Sequence, residues 1–152
     1  MNVREVMMDH PEACTPQESC AVAGEIMRQR HCGFLPVVED YRSRWVVGVL
    51  TDRDLALHLA RSDRPASEMV VDQCMTRWPK TVSPETELQE ASELMEAYGI
   101  RRLPVVDNGR LVGVLSVTDI ARAARQERIH GHATIAERQL TDLVEGLAAG
   151  QA

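Results

Sequence analysis

Aromatic side chains are scarce: Phe, Trp and Tyr make up 3% of the 152 residues. Valine, leucine, isoleucine, methionine and alanine therefore have to fill the core. Long apolar runs are missing too. The longest are a handful of residues, against the roughly 20 that a helix needs to cross a bilayer, so no membrane span is predicted. The N-terminus, Met1-Asn2-Val3-Arg4-Glu5-Val6, has no apolar signal-peptide stretch, and a cytoplasmic location is expected. Basic charge is not in excess. A formal net charge of −6 argues against nucleic acid as the main partner, because phosphate backbones need a concentrated basic face. A small anionic ligand remains open, since it needs a few well-placed donors.

Cys14, Cys20, Cys32 and Cys74 include no C-x-x-C pair. They are expected to be reduced, partly buried thiols, and no metal site is predicted. A redox or metal sensor built from Cys14, Cys20, Cys32 and His31, with His10 nearby, is disfavoured by the irregular spacing. No P-loop, metal-ligand spacing or nucleophile–base pair is legible, so no enzyme activity is expected. What is present is ordinary for a globular protein: 44% hydrophobic and 26% charged residues.

The chain repeats itself. At a shift of 68 positions Val3 falls on Val71, Met7 on Met75, Pro11 on Pro79, Pro16 on Pro84, Ala23 on Ala91 and Met27 on Met95. Leu35-Pro36-Val37-Val38 then falls on Leu103-Pro104-Val105-Val106. Beyond that the shift drops to 65, and Val47-Gly48-Val49-Leu50 meets Val112-Gly113-Val114-Leu115. The lost residues belong to a turn, Glu39 to Arg44 in the first copy and the compact Asp107-Asn108-Gly109-Arg110 in the second. Length change at a loop between matched strands is how a duplicated fold varies.

Each copy can be taken in order. Thr15-Pro16-Gln17-Glu18 and Ser83-Pro84-Glu85-Thr86 are helix-entry signals. A helix follows, with Leu88, Ala91, Met95 and Tyr98 on one stripe in the second copy. Cys20, Ala23 and Met27 match it in the first, joined by Val22 and Ile26. These helices are predicted to end near Gly33 and Gly99. A hairpin comes next, signalled by Asn108-Gly109 between apolar runs. Its strands are continuously apolar, the pattern of strands covered on both faces. A second helix then runs over Asp54–Arg61 or Asp119–Arg128. Each repeat is thus strand, helix, strand, strand, helix. A unit of about 60 residues is marginal alone, so the two sheets are expected to pack together and share a core. Beyond the repeat, Ile129-His130-Gly131-His132 is predicted to break the helix. Thr134 to Leu147 reads as a further amphipathic helix with Ala136, Leu140, Leu143, Val144 and Leu147 on one side.

The strand–helix junctions, Gly48-Val49-Leu50-Thr51-Asp52-Arg53-Asp54 and Gly113-Val114-Leu115-Ser116-Val117-Thr118-Asp119, carry the chemistry. A hydroxyl followed three residues later by a carboxylate is a capping box with Asp in place of Glu, and this explains both copies without a ligand. The same geometry suits a nucleotide. A helix N-terminus favours phosphate, a hydroxyl donates to it, and a carboxylate accepts from a ribose diol. Arg101 and Arg102 stand just before Leu103-Pro104, and a guanidinium fork suits phosphate. Successive strand residues face opposite ways, so one of the two is expected to point at the junction. Gly33 and Phe34 hold the matching places in the first copy and carry no charge. The Asp119 site is therefore expected to prefer a more anionic ligand than the Asp54 site, and Arg53 is expected to face solvent.

These residues, together with Val3-Arg4-Glu5-Val6-Met7, Gly33-Phe34-Leu35-Pro36-Val37-Val38, Cys74-Met75-Thr76 and Gly99-Ile100-Arg101-Arg102, resemble a tandem pair of cystathionine-β-synthase (CBS) domains, or Bateman module. The resemblance covers roughly residues 2–128. It implies a mixed α/β (α+β) fold of two β-α-β-β-α repeats packed sheet to sheet about a pseudo-two-fold axis, plus a C-terminal helix. The repeats are placed at 2–62 and 70–128, with a linker at 63–69 and a helical extension at 129–152. The resemblance further implies clefts for an adenosine compound such as AMP, ADP, ATP or S-adenosylmethionine, with no cofactor required. Asp54 and Asp119 map onto the family's ribose-binding Asp, Thr51 and Ser116 onto its hydroxyl partner, and Arg101 or Arg102 onto its phosphate contact. Thr15, Phe34, Ser83 and Ile100 map onto its adenine surroundings. Such modules form homodimers and regulate larger proteins. With no catalytic, channel or DNA-binding domain in the sequence, this one is expected to act in trans or as a homodimer, as an adenosine-nucleotide sensor. The alternative is a ligand-independent dimeric scaffold that docks an unknown protein partner through its C-terminal helix.

Overall fold

A computed structural model describes residues 1–129 and 135–149. Its elements in chain order are β1 (Met8–Asp9), α1 (Cys20–Arg30), β2 (Phe34–Val38), β3 (Val46–Thr51), α2 (Asp52–Ala60), β4 (Thr76–Arg77), α3 (Leu88–Tyr98), β5 (Arg102–Asp107), β6 (Arg110–Ser116), α4 (Val117–Ile129) and α5 (Ile135–Ala149). Short 3-10 turns at Val3–Glu5, Ala66–Glu68 and Val71–Gln73 complete the order. The predicted break at His130-Gly131-His132 and the predicted helix start at Thr134 lie outside the described residues.

The compact units do not follow the linear order of the repeats. One unit is formed by residues 1–9, 80–107 and 112–152, the other by 10–79 and 108–111. The lead segment of each repeat is thus incorporated with the body of the other. In the first unit β1 pairs antiparallel with β6, Met8 opposite Val114, and the sheet order is β1-β6-β5. In the second unit β4 pairs with β3, Thr76 opposite Val49, and the order is β2-β3-β4. A glycine in the receiving strand makes each docking possible. A Cβ on Gly48 would lie 2.8 Å from Met75 Sδ and 2.9 Å from the Thr76 carbonyl oxygen, and one on Gly113 would lie 2.6 Å from Met7 Sδ. Glycine inside a strand marks such a close backbone approach.

The first unit buries Val3, Leu88, Met95, Leu103, Leu115 and Ile120 in one core. The α3 stripe reaches it through Leu88, Ala91 and Met95, all fully buried. Tyr98, expected on that stripe, is 54% exposed and instead carries the Lys80 ammonium 4.3 Å over its ring. It is the last helical residue before Gly99, whose left-handed φ of 61° turns the chain away. α5 packs on α3 and α4 and adds Leu143 and Leu147 to the same core. Of its other predicted apolar positions, Leu140 is half-buried, Val144 is half-exposed, and the Ala136 side chain lies outside the described ones. A Cβ at Gly146 would run into the Glu96 side chain, so α5 is seated directly on α3.

The second unit has a separate core of Cys20, Ala23, Met27, Leu35, Leu50 and Leu55, with Cys14 and Cys74 among them. Ser19 caps α1 by accepting from the Val22 N–H at 3.2 Å. The left-handed residue that ends α1 is His31, φ 51°, ahead of the expected Gly33. Val22, assigned to the apolar side of α1, is 43% exposed. The hairpin β5–β6 turns through Asn108 (φ 49°) and Gly109 (φ 81°), both left-handed as its two-residue loop requires.

Candidate functional site

Both junctions fold as their residues dictate. Thr51 ends β3 opposite Phe34 of β2 and becomes the N-cap of α2. Its hydroxyl accepts from the Asp54 N–H at 3.1 Å, and the Asp54 carboxylate accepts from the Thr51 N–H at 2.9 Å. That is a complete capping box. Ser116 repeats it at the head of α4: its hydroxyl accepts from the Asp119 N–H at 3.2 Å, and Asp119 Oδ2 accepts from the Ser116 N–H at 2.9 Å.

The second copy adds two contacts. The Ser116 hydroxyl donates to Asp119 Oδ2 at 2.6 Å. Arg122, one turn along α4, donates to Asp119 Oδ1 at 3.2 Å. Asp119 is 8% exposed, so this buried carboxylate is held by a backbone amide, a hydroxyl and a guanidinium. Asp54 is only half-buried. The place of Arg122 in the first copy is taken by Leu57. Thr51 keeps its hydroxyl proton for another acceptor, whereas Ser116 must turn its proton away from Asp119 before it can donate elsewhere.

A cleft of about 450 Å³ opens beside the Ser116 junction, within the range of small-molecule sites. Arg101, Arg102, Ser116 and Thr118 are its polar lining residues, and Val117, Val144, Leu147 and Ala148 its apolar ones. Both arginines line it, where one was expected. Arg101 stands ahead of β5, outside the alternation of the strand, and its carbonyl accepts from the Val117 N–H at 3.1 Å. Both arginines are exposed, and among the described residues neither forms an ion pair with a carboxylate. Arg53 is exposed as well.

The remaining predicted residues are spread out. Thr15 is half-buried and its N–H donates to Glu18 at 2.7 Å. Phe34 faces Thr51 across the ladder, so Phe34, Thr51 and Asp54 share one corner of the second unit. Ser83 is exposed and engaged with the Thr86 hydroxyl at 3.1 Å. Ile100 packs on the core of the first unit. Ser83, Ile100 and Asp119 are not among the side chains lining the cleft. Thr118, Arg122 and the α5 residues were missed. Thr118 and Arg122 lay within reach, two residues beyond Ser116 and three beyond Asp119. The α5 wall carried no signal, because nothing in the sequence joins Val144 to Arg101.

The paired repeats, each a hairpin running into a capped helix, define a tandem CBS module. The chain belongs to the CBS domain family, whose profile matches residues 3–61 and 71–126. The CBS domain-containing protein YhcV of Bacillus subtilis is 33% identical over 120 residues, 79% of this chain and 83% of YhcV. The crystal structure of CBSX2 in complex with AMP matches at a TM-score of 0.72 and 32% identity, over 84% of this chain and 98% of CBSX2. The CBS domain pair of protein MJ0100, in complex with 5′-methylthioadenosine and S-adenosyl-L-methionine, matches at 0.68 and 25% identity, over 84% of this chain and 98% of that one. Both of these solved neighbours are complexes with adenosine compounds.

Proposed function

We propose that this protein is a regulatory sensor of an adenosine compound, and that the cleft beside Ser116 takes the ligand's anionic end. The observation that carries the reading is that two arginines without carboxylate partners and two hydroxyl residues line one cleft together with the apolar Val117, Val144, Leu147 and Ala148. A phosphate, or a carboxylate such as that of S-adenosylmethionine, has donors there. A flat base or ribose edge has Val144, Leu147 and Ala148. Asp119 serves from behind, holding Ser116 at the head of α4. The Thr51–Asp54 corner, with Phe34 and no arginine pair, suits a less anionic ligand. Because α5 both walls the cleft and packs on α3, occupancy is communicated to the C-terminal helix. A ligand shifts such an equilibrium through its different affinity for the two states.

A thermal-shift screen with AMP, ADP, ATP, adenosine and S-adenosylmethionine tests this. A ligand that binds the folded chain raises stability by about 2.7 kcal/mol at a hundredfold excess over Kd. The shift given by a phosphate-bearing compound is expected to be lost on Arg102→Glu. No shift with any compound would leave both Asp residues as helix caps.

Homodimer formation is part of the proposal. Trp78 is 87% exposed, and an exposed aromatic side chain of this kind anchors interfaces. Trp78→Asp is expected to shift the chain toward monomer in sedimentation analysis; an unchanged profile removes Trp78 from the interface. Trp78 can equally serve action in trans on a protein partner.

A further inference from the structure

Cys20 and Cys74 are 54 positions apart in sequence, yet their sulfurs lie 3.2 Å from each other. Both are buried, at 2% and 7% exposure. The backbones that carry them are tied together: the Cys20 N–H donates to the Met69 carbonyl at 2.7 Å, Val71 N–H to Glu18 at 2.9 Å, and Asp72 N–H to Pro16 at 2.9 Å. Cys20 opens α1, and Cys74 closes the 3-10 turn over Val71–Gln73. Two fixed backbones therefore hold the sulfurs about 1 Å from the roughly 2.05 Å of a disulfide, a gap that side-chain rotation can close.

We propose that Cys20 and Cys74 form a redox-responsive dithiol that closes to a disulfide under hydrogen peroxide. One sulfur, as its thiolate, attacks a peroxide oxygen; the O–O bond breaks, leaving a sulfenic acid and, with a proton, one water. The second sulfur attacks the sulfenic sulfur; the S–O bond breaks, the S–S bond forms and a second water leaves. Two thiols are oxidised by two electrons in all, one peroxide is reduced, and a dithiol reductant reverses the change. The product staples the 66–75 segment, which leads the second repeat, onto the base of α1 within the second unit. Burial pushes the Cys74 thiol up to about 12, so closure is slow at neutral pH and needs sustained oxidant. The inference is independent of any nucleotide.

The test is peptide mapping without reductant of the full-length chain after peroxide treatment. A Cys20–Cys74 cross-linked peptide is expected, absent in Cys20→Ser and in Cys74→Ser, retained in Cys32→Ser, and removed by dithiothreitol. The wild type is expected to melt several degrees higher when oxidised, and Cys20→Ser not to. If Cys20 and Cys74 both remain alkylatable after unfolding, at peroxide levels that fully consume Cys32, the proposal is overturned. A cross-link from either cysteine to Cys14 or Cys32 in its place overturns it equally.

Discussion

Asp119→Ala is expected to destabilise the ligand-free protein more than Asp54→Ala, although the two residues hold the same place in their repeats. Asp54 is half-buried and accepts one backbone N–H, from Thr51. Removing it costs about 1 kcal/mol, the ordinary value of a helix cap. Asp119 is buried and accepts from the Ser116 N–H, the Ser116 hydroxyl and Arg122. Both variants lose a part-buried amide contact, but removing Asp119 also strands the part-buried Ser116 hydroxyl proton, so the cost rises to about 2 kcal/mol. At about 2–4 °C per kcal/mol for a chain of this size, Asp119→Ala should lower the melting temperature by about 4–8 °C and Asp54→Ala by about 2–4 °C. Asp119→Asn keeps an oxygen for the Ser116 N–H and loses the charge facing the exposed Arg122, a matter of about 0.5 kcal/mol. The assay is reversible thermal or urea unfolding without ligand. Equal losses in the two alanine variants, or a larger loss for Asp54→Ala, would refute the reasoning that the extra donors at Asp119 carry energy. The comparison also separates cap from contact: ligand binding lost in Asp119→Asn, which keeps the fold, cannot be charged to unfolding.

Other expectations follow from single contacts. Arg101→Glu should weaken AMP by about tenfold or more while changing adenosine by less, because two charge-assisted hydrogen bonds are at stake; equal loss for both ligands would place the phosphate elsewhere. Gly48→Val should cost about 1–3 kcal/mol by overpacking, and trimming Met75 to Ala should not restore it, because the Thr76 carbonyl is backbone and also lies 2.9 Å from the new Cβ; full rescue in urea titrations would contradict the close approach. In native protein at pH 8, a thiol reagent should label the half-buried Cys32 first and leave Cys14 and Cys74 protected until unfolding, which a time course of labelling checks. Burial raises both Cys14 and Cys74 from 9.0 to about 12. Between those values the unfolded chain holds fewer protons than the folded one, so stability should fall as pH rises through that window. Replacing both thiols with alanine should flatten that slope in urea titrations.

The repeat and the hairpin were legible because each rests on local chemistry. Asn108-Gly109 can hardly be anything but a tight turn, and Thr51 with Asp54 or Ser116 with Asp119 closes a capping box over three residues. Leu88, Ala91 and Met95 face the core as their spacing says. What was not legible depended on long-range placement. The pairing of β1 with β6 and of β4 with β3 sets residues more than 25 positions apart side by side, and the lead segments Met8–Asp9 and Thr76–Arg77 are too short to announce a partner. Arg101 escaped the alternation rule because it precedes the strand. The approach of Cys20 to Cys74 follows from the docking of residues 69–72 on 16–20, which no spacing rule reports. The α5 wall of the cleft had the same character: Leu143 and Leu147 were marked as an apolar side, but what they covered was decided by α3, α4 and the glycine at 146.

The most direct test of the central claim is isothermal titration of AMP into the wild type, into an Arg101→Glu/Arg102→Glu variant and into Arg53→Glu. The account predicts saturable heat for the wild type and for Arg53→Glu, with the heat of the site beside Ser116 abolished in the double variant. Undiminished binding to the double variant, or no binding to the wild type at millimolar AMP, would contradict it.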